Sequence, residues 1–210
     1  MKKAFSLYRC KTRFGFGGRV LSQTQTQTEF QESLSACSPI LRAQSTNALG
    51  EGQMNDTIPS KDAKVTLRKI TAKTVRTICN LNVSEDQKNF VAPNAVSIAQ
   101  AYFSKAAWFR AIYADETPVG FVMLAENPKR GQYYLWRFMI DAKHQGKGYG
   151  QKALELIIKH VKKNPKAKTL YLSVVRAKGS AEEFYKSFGF EFTGKMDGIE
   201  HIMKLNLKKP

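Results

Sequence analysis

Three glycines, Gly146, Gly148 and Gly150, stand at alternate positions in the run Gln145-Gly-Lys-Gly-Tyr-Gly150. Glycine tolerates left-handed backbone and lets a ligand approach the main chain closely. The apolar residues that follow, Ala153, Leu154, Ile157, Ile158 and Val161, recur near the helical period and predict a helix over 148–163. A helix starting there turns its unpaired N-terminal N–H groups, with the positive end of its dipole, into the glycine turn. The chemistry this suits is backbone capture of a phosphate or pyrophosphate. Lys143 and Lys147 add positive charge beside it, whereas His144 reads as a surface histidine without a role.

Two familiar phosphate motifs fail here. A P-loop needs a serine or threonine after its lysine, but Gly148 follows Lys147. A dinucleotide turn needs Gly-x-Gly-x-x-Gly and an acid about twenty residues later, and position 170 is leucine. A glycine-rich loop with no ligand is the plain alternative.

The elements that must position the turn can be read around it. Residues 133–140, rich in aromatic and branched side chains, predict a long central strand leading into the turn. Residues 169–175 predict the strand after the helix, so strand, helix and strand form a candidate parallel crossover. Upstream, residues 65–70 alternate as a strand, and Thr71 is a candidate cap for a helix to about Asn80. A loop over 85–90 follows, then a helix over about 95–106 carrying Ile98, Ala99, Tyr102 and Phe103 at helical spacing. Residues 109–114 and 119–124 predict a hairpin, with Pro118 in its turn. Downstream, residues 181–188 predict a short helix closed by Gly189, before a last hairpin over 190–193 and 201–207. The fold class is mixed α/β, with about seven strands and four helices.

Residues 1–60 differ in character. Positions 1–28 hold six basic residues and no acid, and Gln23-Thr-Gln-Thr-Gln-Thr28 is a polar repeat. This extension predicts disorder; a transit-like segment and a true start at Met54 are the other two readings. The domain proper is expected over 61–210. Cys10, Cys37 and Cys79 have neither metal-ligand spacing nor an even-numbered disulfide pattern, so no metal is expected. No apolar run is long enough to span a bilayer as a helix. A cytoplasmic location is expected, or an organelle matrix if residues 1–53 are a transit peptide. A homodimer is left open.

With these elements in order, Gln145-Gly-Lys-Gly-Tyr-Gly150 resembles the Gln/Arg-x-x-Gly-x-Gly/Ala motif of the GNAT acetyltransferase superfamily. The likeness runs from about Val65 to Leu207 and includes Phe184-Tyr185 and Gly189-Phe190. Residues 90–94, 110–113, 120–123 and 134–141 are similar to the bacterial diamine and spermidine N-acetyltransferase branch. The resemblance implies a GNAT-like, mostly antiparallel central sheet, acetyl-CoA as cosubstrate, and transfer of its acetyl group to a primary amine such as spermidine. It further implies that Phe138, Met139 and Ile140 line the pantetheine arm, with strands 133–140 and 169–175 splayed to admit it. The backbone of Gln145, Gly146, Lys147, Gly148, Tyr149 and Gly150 would take the pyrophosphate. Tyr185 matches the tyrosine that lies near the thiol and protonates the departing thiolate. Lys178 stands where relatives commonly carry asparagine, a departure that loosens the cofactor arm or adds a phosphate contact.

The acceptor is less legible. An amine must shed a proton before attack, and Glu126 is a candidate general base. A backbone N–H of Met139 or Ile140 is a candidate donor to the developing oxyanion. Glu85 and Asp86 are candidates for reading a cationic amine. The chain carries a net charge of +17, and from Lys61 onward 27 basic residues face 13 acidic ones. A polycationic acceptor therefore needs a local acidic pocket, for which Glu85, Asp86, Glu126, Asp197 and Glu200 are the candidates. An amine-bearing antibiotic, a protein amine, a catalytically impaired CoA-binding module and a nucleic-acid-binding protein remain as alternatives. The last is disfavoured, since the aromatics of 133–138 suit a packed core better than a stacking face.

Overall fold

The computed structural model describes residues 59–207. The expectations for residues 1–58, including the transit-like reading and the Met54 start, lie outside the described residues. Seven strands form one sheet: β1 (Val65–Arg68), β2 (Ala107–Ala114), β3 (Thr117–Asn127), β4 (Gln132–Ile140), β5 (Thr169–Val174), β6 (Glu191–Asp197) and β7 (Glu200–Asn206). Their order is β1-β2-β3-β4-β5-β7-β6. Every neighbouring pair is antiparallel except β4 and β5. Among the described residues four α-helices accompany them: α1 (Val75–Cys79), α2 (Asn94–Tyr102), α3 (Tyr149–Lys162) and α4 (Glu182–Ser187). The mixed α/β class, the strand and helix numbers and the β4–α3–β5 crossover all follow the sequence reading.

Each sheet face buries one apolar set. Ile112, Val122, Leu124, Leu135 and Ile140 meet Ala153, Leu154, Ile157 and Val161 of α3. On the other face Ala111, Phe121, Met123 and Met139 pack with Ile78 of α1 and Ala101 of α2. Alternation along each strand assigns the two sets. Full burial of a leucine or isoleucine stabilises by about 2 kcal/mol, so the α3 stripe is a main anchor of the fold.

Three local expectations are corrected. Pro118 is not in the hairpin turn but in β3, opposite Tyr113, where a register shift between Ile112 and Tyr113 accommodates its missing donor. The turn is Asp115–Glu116, with Asp115 at φ 50° and its carboxylate accepting from the Lys64 N–H. Helix α2 ends at Tyr102, and Tyr102 and Phe103 are exposed although their spacing suggested a buried face. The buried face of α2 is instead made by Asn94, Ser97 and Ala101. Thr71 does not cap α1; Thr74 Oγ1 accepts from the Thr71 N–H, a turn that precedes the helix.

Candidate active site

Strands β4 and β5 run side by side for only three residue pairs, Gln132↔Thr169, Tyr133↔Leu170 and Tyr134↔Tyr171. Beyond Tyr134 and Tyr171 they part, while β4 continues to Ile140 along β3 and β5 continues to Val174 along β7. This is the splay that the family resemblance implied, with its apex at Tyr134. A β-bulge adds to it: Met123 pairs with Arg137 and Leu124 with Leu135, leaving Trp136 unmatched.

The ladder decides which backbone groups face the opening. The Asp141 N–H donates to the Val119 carbonyl, so alternate residues of β4 turn their N–H groups toward β3. Met139 is one of these, and its carbonyl would be 2.4 Å from a Cβ placed on Gly120. The N–H groups of Phe138 and Ile140 therefore face the wedge. Of the two candidate oxyanion donors, the register favours Ile140.

At the open end of β4 lies the glycine turn. Gly146 and Gly148 adopt φ of 72° and 81°, and Gly148 is the N-cap of α3. An added Cβ at either would meet nothing within 4 Å, so the space over the turn is open. The first N–H of α3 to find a backbone acceptor is that of Lys152, on the Gly148 carbonyl. The N–H groups of residues 146–151 have no acceptor among the described residues. A run of free donors at a helix N-terminus, bordering open space, fits a pyrophosphate. Gly150 differs: it is helical, and a Cβ there would touch Ile140 and Phe184 at 3.6 and 3.8 Å.

The side chains of the motif hold the turn in place. Gln145 Nε2 donates to the Ile140 carbonyl at 2.9 Å and to Gln87 Oε1 at 2.8 Å. It thus ties the turn to the 3-10 helix Glu85–Gln87. Tyr149 is buried, and its hydroxyl donates to the Pro59 carbonyl at 2.6 Å, so only its backbone is available to a phosphate. Lys147 Nζ donates to the Lys143 carbonyl at 3.1 Å. Burial pushes the His144 imidazole below its usual range, which keeps it neutral beside these lysines.

Tyr185 sits on α4, in the core on the α3 side of the sheet. Phe184 stacks on Phe138 at 6.1 Å between ring centres, and Tyr185 packs edge-on against Phe184 and Phe190. This chain of rings ties α4 to the splayed part of β4. Burial raises the Tyr185 phenol far above its ordinary value, and its hydroxyl has no hydrogen-bond partner among the described residues. It therefore keeps its proton at neutral pH and is free to donate it.

The other candidates are distributed unevenly. Lys178 is exposed in the loop before α4. The next residue, Gly179, would place a Cβ 3.3 Å from the Asp86 carboxylate, so Asp86 borders that loop. Glu85 is exposed and paired with Lys88 at 2.5 Å. Glu126 is not brought to the glycine turn. It lies near the closed end of the wedge on the α3 face, 2.7 Å from His160 Nε2, whose ring stacks on Trp108. His160 is eleven residues along α3 from Tyr149, about 16 Å of helix.

Two features of the site escaped the sequence reading. Asp141 is buried and accepts from the N–H groups of Asn82 and Lys143, while the Ala142 N–H donates to the Asn82 carbonyl. This clasp fixes the segment after α1 to the end of β4. The second is the contact of Ser173 Oγ with Glu200 Oε2, which gives Glu200, one of the acids considered for an acidic pocket, a partner on β5. The alternation of β4 and β5 was the available signal, but the pairing of β5 with β7 was not legible. Among the described residues no group of three His, Cys, Asp or Glu side chains gathers as a metal site, and no helix is long and apolar enough to cross a membrane.

Comparison with known proteins bears on this geometry. The model of the acetyltransferase (GNAT) family matches residues 76–190, more than half of the chain. A spermine/spermidine N(1)-acetyltransferase of Bacillus subtilis is 30% identical over 141 residues, covering 63% of this chain and 91% of its own. Among solved structures, a spermidine N-acetyltransferase from Vibrio cholerae in complex with CoA and spermine superposes with a TM-score of 0.55 at 19% identity. It covers 68% of this chain and 95% of its own. The paia N-acetyltransferase of Thermoplasma acidophilum in complex with coenzyme A gives 0.51 at 20% identity, with 68% and 99% covered.

Proposed function

Because the chain belongs to the GNAT acetyltransferase family, and is thus an acetyl-CoA-dependent N-acetyltransferase, we propose that its acceptor is a small polyamine of the spermidine class. The observation that carries this reading is the similarity to the Bacillus subtilis spermine/spermidine N(1)-acetyltransferase over nearly all of that protein's length.

Residues 146–151 would hold the pyrophosphate through their free N–H groups, with Lys147 and Lys143 neutralising charge nearby. Phe138 and Ile140 would offer backbone N–H groups along the wedge, and Met139 would line it only through its neighbours in the ladder. Acetyl-CoA supplies the activated acetyl group as a thioester. The Ile140 N–H would donate to the negative charge at the acyl oxygen. Tyr185 holds a proton at Oη for the departing sulfur. Phe184 and Phe138 exclude water from that side of the wedge. Lys178, exposed in its loop, suits an outer contact with a phosphate rather than a hold on the arm. Asp86, at the Gly179 loop, is the better placed of the two loop acids to meet a cationic chain.

The test is release of free CoA thiol from acetyl-CoA by the full chain on adding spermidine, spermine, a diamine or an aminoglycoside. Thiol release with the polyamines at micromolar to millimolar KM is the expected result. Release with the aminoglycoside alone would overturn the polyamine assignment.

A further inference from the structure

Four acidic residues in the described chain are not exposed: Glu126, Asp141, Glu182 and Glu200. Three of them have their charge answered. Glu126 meets His160, Glu182 meets Arg176 and Lys186, and Asp141 accepts two backbone N–H groups. Glu200 has neither an ion pair nor a backbone donor; its one described partner is the Ser173 hydroxyl. Arg137 acts on Glu200 only through space, so in a chain with 34 basic and 17 acidic residues this half-buried carboxylate has no cation in direct contact.

Its place is informative. Ser173 lies two residues beyond the last β4–β5 pair, on the stretch of β5 that has left β4. Leu170, Leu172 and Val174 point to the α3 face, so Ser173 points to the opposite one. Tyr134, at the apex, points to that same face. Arg137 closes the other side: its guanidinium donates to the Trp136 carbonyl and, at 3.4 Å, to Gln100 of α2, and its Nε is buried without a partner. No nitrogen of Arg137 comes within ion-pair distance of Glu200 among the described contacts. Tyr185 lies in the core on the α3 face, so the sheet carries a proton donor on one face and the Glu200 carboxylate on the other.

We propose that Glu200, oriented by Ser173, forms the acceptor subsite and binds the protonated primary amine that is to be acetylated. This rests on the polyamine-acetylating reading above and names the group that receives the amine. The carboxylate keeps one oxygen on Ser173 and presents the other to an ammonium N–H. Arg137 sets a limit on the site: its positive charge leaves room for one ammonium group beside Glu200, so the rest of a polyamine must extend away, toward solvent. When the amine nitrogen attacks, the new N–C bond forms as the C–S bond breaks. Before that attack the bound ammonium gives one proton to Glu200, which frees the nitrogen lone pair; after it the thiolate takes the Tyr185 proton, and the nitrogen's second proton is released to solvent, from which Tyr185 is reprotonated.

The experiment measures spermidine binding to the full chain by titration calorimetry in the presence of CoA, for wild type, Glu200→Gln and Ser173→Ala. Removing a charge-assisted contact is expected to weaken spermidine about tenfold to a hundredfold in Glu200→Gln. Ser173→Ala should weaken it a few-fold, and both variants should bind CoA as wild type does. Spermidine binding by Glu200→Gln within twofold of wild type would overturn the subsite, as would an equal loss of CoA binding. The binding result stands apart from turnover. Active wild type with unchanged binding in Glu200→Gln sinks the subsite alone, whereas wild type inactive on every amine sinks the polyamine reading.

Discussion

Tyr185 shows what one residue's surroundings add to its identity. Its place after Phe184 marked it in the sequence, but the packing that sets its proton affinity was not legible there. Burial among Phe184 and Phe190 raises the phenol, so the neutral form dominates at all physiological pH. Tyr185→Phe should lower kcat by about 100-fold while leaving CoA affinity unchanged, read by steady-state kinetics and CoA titration. Stability should hardly change, since the hydroxyl makes no hydrogen bond among the described residues. Linkage gives a further check. The folded chain holds this proton to higher pH than the unfolded chain. The associated stability is complete below about pH 10 and is lost as pH rises through the raised value. Denaturant midpoints should therefore fall above about pH 10 in wild type, and less steeply in Tyr185→Phe. Glu126 makes the opposite point: its type and strand position suggested a base, but only the packing of α3 shows that His160 already holds it.

At the scale of elements, the glycine turn and α3 were legible because both rest on local rules, positive φ and helical period. Gly148→Ala should cost about 1–2 kcal/mol, because a left-handed conformation at φ 81° is forced on a residue with a side chain. The new methyl meets no protein atom, so the fold should persist while CoA binding weakens. Gly150→Ala should be neutral or stabilise by up to about 1 kcal/mol, since that position is helical and the methyl makes ordinary contacts. Thermal unfolding with a CoA titration on both variants separates the two roles. Other elements misled for physical reasons. In α2, Tyr102 and Phe103 continue the apolar spacing past the point where the helix stops, so periodicity overran its end. Pro118 reads as a turn residue, but a shift in ladder register lets β3 start before it. The β4–β5 splay was expected from family resemblance, whereas the β5–β7 pairing that brings Ser173 to Glu200 is a long-range contact with no local sequence signal.

For the whole molecule, the governing quantity is charge. A net +17 attracts an anionic cosubstrate and repels a polycationic acceptor. Raising salt from about 10 to 150 mM shortens the screening length from about 30 to about 8 Å. The KM for acetyl-CoA should therefore rise with salt and that for spermidine should fall, a split that initial-rate measurements at several ionic strengths would show. The two faces of the sheet give this charge a division of labour. On the proposed reading the turn and Tyr185 would serve the cosubstrate, while the Glu200 carboxylate on the opposite face would receive the amine. The most direct test of acetyl transfer is mass spectrometry of the products after incubating the full chain with acetyl-CoA and an equimolar set of amines. The account predicts spermidine or spermine carrying one added acetyl group, in step with the CoA released. CoA binding with every amine recovered unmodified would contradict it.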